Sequence, residues 1–167
     1  MQVEKAIKTR RSIRKFSSKK PDWRKIIEAI DATRYTPMAG GNFTPKFIVV
    51  DEEEKIKKIT QACQQDFVGT AQYLVIVCSD PKRTINLYDK KGKNYARQQN
   101  GAAIQNLLLH LHQSGLAACW IGHFVESQIK RTLTIPKEIN VEAIIPIGHQ
   151  RDKKYTRKSK VDIDKIF

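Results

Sequence analysis

The amino-acid sequence predicts an α+β fold in which a small central sheet is covered by helices. Two observations predict it: short apolar runs of strand length interleave with amphipathic stretches of helix length, and the helical stretches outnumber the strands. A third bounds the size, because 167 residues without a repeat, low-complexity tract or Pro/Gly-rich linker make one domain over 1–167.

Residues 22–33 follow Pro21 and carry Trp23, Ile26, Ile27 and Ile30 at helical spacing, an amphipathic helix. Residues 36–45 hold two prolines, two adjacent glycines and Asn42, the composition of a loop, and Phe47-Ile-Val-Val50 is a short buried strand. A helix over about 52–65 comes next. Tyr73-Leu-Val-Ile-Val-Cys78 is a strand ended by Asp80-Pro81, since proline has no N–H to give a ladder. A polar stretch then runs to about residue 93. Residues 94–114 set Ala96, Ala103, Ile104, Leu107, Leu108 and Leu111 on one wide face, closed by Gly115 at a C-cap position; this is the central, most buried helix. A short helix over 126–133 stops before Pro136, and 141–147 form another strand ended by Gly148. In the tail, Val161, Ile163 and Phe167 alternate with polar residues, a terminal strand in need of a neighbour.

Composition removes several function classes. No apolar run approaches the roughly 20 residues that span a bilayer, and the basic N-terminus lacks the apolar core of a signal peptide, so a cytoplasmic protein is expected. Cys63, Cys78 and Cys119 are odd in number and widely spaced, without a C-x-x-C pair, and read as buried thiols. The net charge of +14 makes a polyanion partner worth weighing, since ten of the first 25 residues are Lys or Arg and a second basic stretch spans 151–160. Lysine is nevertheless scattered over most of the chain, which reads better as surface charge than as a nucleic-acid-binding module.

Three segments are placed to do chemistry. Thr9-Arg-Arg-Ser-Ile-Arg14 gathers three guanidiniums and a hydroxyl, a set that matches phosphate oxygens, although a solvated basic run is the plainer alternative. Pro37-Met-Ala-Gly-Gly-Asn42 is either an ordinary turn or a loop whose glycines admit a ligand close to backbone. Gly115 to Gly122 is either core packing or an apolar strip presenting the amides of Ile121 and Gly122 to a planar ligand. His110 and His112, two apart on a helix, point roughly 200° apart and cannot share a metal, so no metal site is expected. No nucleophile elbow, zinc-protease, P-loop or dinucleotide signature is present, and an enzyme built here needs a cofactor to carry the chemistry.

Taken in order, these segments resemble the nitroreductase family of FMN enzymes. The resemblance runs through Arg10-Arg-Ser-Ile-Arg-Lys-Phe16, the 37–45 loop, the 71–80 strand, Gln105-Asn-Leu-Leu-Leu109, the 115–124 strip and Ile144-Ile-Pro-Ile-Gly148. It implies a nitroreductase-like fold with a mixed or antiparallel sheet and an extended C-terminal arm crossing to the partner of a homodimer, with FMN at the interface. By the same resemblance Arg10, Ser12 and Arg14 bind the FMN phosphate, ribityl chain and pyrimidine end, with Arg11 a basic neighbour. Asn42, with Met38 and Ala39, matches the loop that reaches the flavin from the other subunit. Asn106 matches an asparagine of the central helix that is either a flavin contact or structural. Ile121 and Gly122 match the backbone pair beside the flavin N5 edge, and Arg157 a basic tail residue near the phosphate. No side chain need be catalytic, because FMN carries the chemistry from NADH or NADPH to a small-molecule acceptor such as a nitroaromatic or quinone in a ping-pong cycle. Reductive dehalogenation or an oxidase reaction on the same scaffold is the alternative. Thr44 stands where the family commonly has glutamine and Asn100 where an aspartate is frequent. The chain is also short for the family, which implies trimmed helices over the active site.

Overall fold

In the computed structural model, which describes residues 2–152 and 161–166, four strands form one antiparallel sheet. Strands β1 (Pro45–Val50), β2 (Tyr73–Ser79), β3 (Ala117–Ala118) and β4 (Asn140–Gly148) lie in the order β1-β2-β4-β3. Helices α1 (Val3–Thr9), α2 (Trp23–Asp31), α3 (Glu53–Cys63), α4 (Lys82–Gln113) and α5 (Glu126–Leu133) complete the fold.

All seven residues of β2 are buried, because helices cover both sheet faces. Alternation then sorts the side chains. Tyr73, Val75 and Val77 join Ala143, Ile145 and Ile147 under α2 and α4, where Ile26, Ile104, Leu107 and Leu111 pack. Leu74, Ile76 and Cys78 join Ile144 on the other face, under Ile56 and Ile59 of α3 and Ile129 of α5. Helix α2 begins where expected because the Asp22 carboxylate accepts the Arg24 amide.

Three expectations need correction. The polar stretch after Pro81 is helical: α4 starts at Lys82 and is interrupted at Asp89, whose φ of 47° and ψ of −129° lie outside helical space. A Cβ on Gly92 would lie 2.3 Å from the Thr84 carbonyl oxygen, whereas eight residues of unbroken helix would separate the two by about 12 Å. The chain therefore reverses at Asp89 and the two halves touch backbone to backbone at a glycine. Helix α1 was not anticipated, since Ala6 is its one buried residue and leaves no apolar period to read. The terminal strand is also absent. Ile163–Lys165 form a 3-10 turn, with Val161, Ile163 and Ile166 exposed, and no strand among the described residues pairs with them. Arg157 and Phe167 lie outside the described residues.

Candidate functional site

The arginine segment is laid across the β3 edge of the sheet. Ile13 N–H donates to the Ala118 carbonyl at 3.0 Å, Phe16 bridges Gln150, and Arg151 N–H donates to the Lys15 carbonyl at 3.0 Å. Phe16 anchors it, buried against Gly148, where a Cβ would meet the ring at 2.9 Å. Fixing Ile13 and Phe16 leaves Ser12 and Arg14 exposed and Arg10 and Arg11 half-buried.

Beside this segment runs the strip from Ala117 to Gly122. Ala118 opposes Ile147 and Ile121 opposes Ile144, so the register against β4 is continuous. Pro146 faces Cys119, accepts its N–H at 3.4 Å and has no N–H to return, which explains why β3 is two residues long. Ile121 then re-engages β4: its N–H donates to the Ile144 carbonyl at 2.9 Å and its carbonyl accepts the Ile144 N–H at 3.0 Å. The Ile121 amide is thus committed to the sheet and is not free for a ligand, contrary to the expectation for this pair. Gly122 is different. It is exposed, a Cβ there would meet nothing within 4 Å, and its N–H has no partner among the described residues.

Electrostatics ties the two segments together. Burial pushes the Cys119 thiol up, and Arg14, the Ser12 hydroxyl, Arg10 and a backbone hydrogen bond at Trp120 pull against it. The Ser12 hydroxyl and the charges of Arg10 and Arg14 thus act on Cys119, within the strip that ends at Gly122, and the Arg14 guanidinium lies 5.9 Å from the centre of the Phe67 ring.

Arg10 also faces a second feature, a cavity of about 190 Å³ between α1, the end of α4 and β3. Thr9, Arg10, Arg11, His112 and Gln150 supply its polar lining, and among the described residues no carboxylate lines it. The Arg11 Nη1 donates to the carbonyls of Lys8 and Arg10, while its Nε is buried without a partner among the described residues. Burial, Arg10 and Arg11 all hold the His112 imidazole below its ordinary range.

The 37–42 loop lies elsewhere. Met38 and Ala39 line a cleft of about 300 Å³ with Tyr95, Gln98, Gln99 and Ala102 of α4. Buried Gln99 organises it: its Oε1 accepts Ala39 N–H at 3.0 Å, and its Nε2 donates to the Asn42 carbonyl at 3.1 Å and to Thr44 Oγ1 at 2.6 Å. The Asn42 side-chain Nδ2 donates to the Gly40 carbonyl at 3.1 Å, leaving its Oδ1 as an acceptor. Asn106 Nδ2 donates to Thr36 Oγ1 at 2.9 Å, an anchor at the base of the same loop. The parts of α4 lining the two clefts lie about 9 Å apart along the helix axis at their nearest and about 17 Å between centres, so the loop and the arginines line separate clefts.

Sequence reasoning missed Gln99 and His112. Gln99 carries no motif, and the sequence offers His112 only as a partner of His110 for a metal, a pairing that helix geometry excludes. Among the described residues no three His, Cys, Asp or Glu side chains gather to hold a metal, and no helix is long and apolar enough to cross a membrane.

A family model described as "Nitroreductase family" matches residues 7–67 and 57–149. Two relatives share the name "Putative NADH dehydrogenase/NAD(P)H nitroreductase". The one from Methanothermobacter thermautotrophicus is 33% identical, covering 94% of this chain and 82% of the relative. The one from Archaeoglobus fulgidus is 30% identical, covering 97% and 94%. Among solved structures, an FMN-dependent nitroreductase from Clostridium difficile R20291 is 25% identical with a TM-score of 0.78, covering 92% of this chain and 90% of that one.

Proposed function

Given that the chain belongs to the nitroreductase family, we propose that it is an FMN-dependent oxidoreductase passing reducing equivalents from NADH or NADPH to a small oxidised acceptor, a nitroaromatic, quinone or similar. The observation that carries this reading is the open amide of Gly122, without a partner among the described residues, at the end of a strip against which the Arg10–Arg14 segment is hydrogen-bonded through Ile13.

The residues present fit the cofactor. A cavity with guanidiniums and, among the described residues, no carboxylate suits a phosphate, the Ser12 hydroxyl suits a ribityl chain, and a glycine amide with open space where a Cβ would stand suits the edge of a planar ring. When bound, FMN supplies reversible two-electron redox chemistry, exchanged in alternating half-reactions with the nicotinamide donor and the acceptor. The chain's own part is binding and electrostatics. Arg10 and Arg11 would neutralise phosphate charge, a role Arg157 of the tail would share; the Arg14 cation would offset negative charge at the pyrimidine end, and the Gly122 N–H would donate at the N5 edge. Gln99 and Asn106 hold the loop bearing Met38, Ala39 and Asn42 in one shape.

Separation of that loop from the arginines along α4 supports a homodimer in which each site takes its loop from the partner. The exposed Val161, Ile163 and Ile166 at the C-terminus support an arm that buries them on the partner. The cytoplasm, where NADH and NADPH are available, is the location this activity calls for.

The test is an absorbance scan of the purified protein, with heat-released pigment identified as FMN, followed by steady-state assays of NADH and NADPH against a nitrofuran and menadione. Flavin bands and turnover with either donor are expected. A colourless monomer that takes up no flavin, or a bound flavin that neither nicotinamide reduces, would overturn the reading.

A further inference from the structure

The cavity beside Arg10 holds a histidine that none of the expected flavin contacts includes. His112 sits on the last turn of α4 with its Nε2 2.8 Å from Thr9 Oγ1. The Thr9 hydroxyl spends its proton on the Lys5 carbonyl at 2.6 Å, so towards His112 it can only accept. Nε2 therefore carries the imidazole proton, and Nδ1 holds a lone pair while the ring is neutral. The groups facing it are cationic or neutral: Arg10 and Arg11 from the segment after α1, Gln150 after β4, and Lys25 of α2 nearby, whose ammonium donates to the Ser114 carbonyl. Among the described residues no carboxylate lines the cavity, and the buried Nε of Arg11, one of its lining residues, has no partner.

We propose that His112 is a positioning residue for the phosphate end of the flavin site, neutral when the cavity is empty and protonated when a phosphomonoester is seated between Arg10 and Arg11. This rests on the FMN reading above. An empty cavity pits a second positive charge on His112 against two guanidiniums; a phosphate dianion reverses the sign of the local field and favours the imidazolium. Because binding and protonation are linked, the preference is reciprocal, and a protonated His112 tightens phosphate binding.

The experiment titrates apoprotein with FMN and with riboflavin, which lacks the phosphate, following flavin fluorescence from about pH 8 to about pH 5.5, the span over which an imidazole changes charge. The phosphate's own second ionisation near pH 6 weakens FMN binding in any variant, so wild type is compared with His112→Gln, which keeps a donor for Thr9. As pH falls, the FMN Kd of His112→Gln should rise relative to wild type by about tenfold, the effect of a one-unit shift of the imidazole, while the riboflavin Kd values stay equal. Nitrogen-15 NMR of the His112 ring in wild type gives an independent reading, with FMN but not riboflavin raising its titration midpoint. A variant-to-wild-type ratio that stays constant with pH, or a midpoint unmoved by FMN, would overturn the proposal while leaving the flavin reading intact. Failure of wild type to bind either flavin would overturn both.

Discussion

Replacing Gly122 by valine separates a ligand-facing glycine from a structural one. Its φ lies outside the left-handed region and a Cβ meets nothing within 4 Å, so the chain itself has room for the side chain. Stability should change by no more than about 0.5 kcal/mol, the usual range for an exposed site without special geometry. The cofactor has no such room. A valine reaches about 2.5 Å from Cα, two carbon–carbon bonds, into the space assigned to the flavin edge. The ring then loses the Gly122 N–H bond, worth about 1 kcal/mol, and contact over on the order of 50 Å² of apolar surface at about 25 cal/mol per Å². Together these cost about 2–3 kcal/mol, an FMN affinity about 30- to 150-fold weaker. The assay pairs a thermal melt of the apoprotein with an FMN titration by fluorescence quenching. A variant that melts with wild type and also binds FMN with wild-type affinity would show that the strip is not the flavin's resting place.

Further outcomes follow from other contacts. Arg10→Ala should weaken FMN by about 1–3 kcal/mol while sparing riboflavin, whereas Arg14→Ala should weaken both; flavin occupancy in the visible spectrum reads the difference. Gly92→Ala puts a Cβ 2.3 Å from the Thr84 carbonyl oxygen and 2.6 Å from the Ile85 Cα, so the reversal at Asp89 must open, at about 1–3 kcal/mol in a urea melt. An unchanged urea midpoint would mean the two halves of α4 do not touch there. Glu126 shows a pH dependence: burial pushes its carboxyl up, but the Val141 N–H bond and Lys130 outweigh burial and leave it below the ordinary value of 4.5. A depressed carboxyl contributes stability that is present above about pH 4.5 and is lost as pH falls through its folded value. Glu126→Gln should therefore flatten the decline of Tm with acidification, and an identical acid limb in both proteins would refute the assignment.

The readable parts of the chain were those where one local signal decides the outcome. Residues 73–78 are apolar without interruption because β2 is covered on both faces, and the 94–114 stretch shows its buried stripe because one face of α4 meets the sheet. Asp22 and Gly115 marked a helix start and a helix end through their own capping chemistry. The Arg10 to Phe16 run displayed its guanidinium cluster directly, but composition left open whether it serves an anion or is a solvated basic run.

What stayed hidden depends on atoms distant in sequence. That the Ile121 amide is spent on β4 while the Gly122 amide is not follows from strand register and from Pro146 facing Cys119. Nothing within residues 115–122 encodes either. The reversal at Asp89 needs Gly92 against Thr84, and Gln99 becomes the organiser of the 37–42 loop only because the fold brings that loop onto α4. His112 is tied to the cavity beside Arg10 through Thr9, 103 positions away. Periodicity and capping report energies summed over neighbours in the chain, which a sequence displays directly. Hydrogen-bond commitment and charge proximity are set by which surfaces close upon each other, and only the folded molecule specifies that.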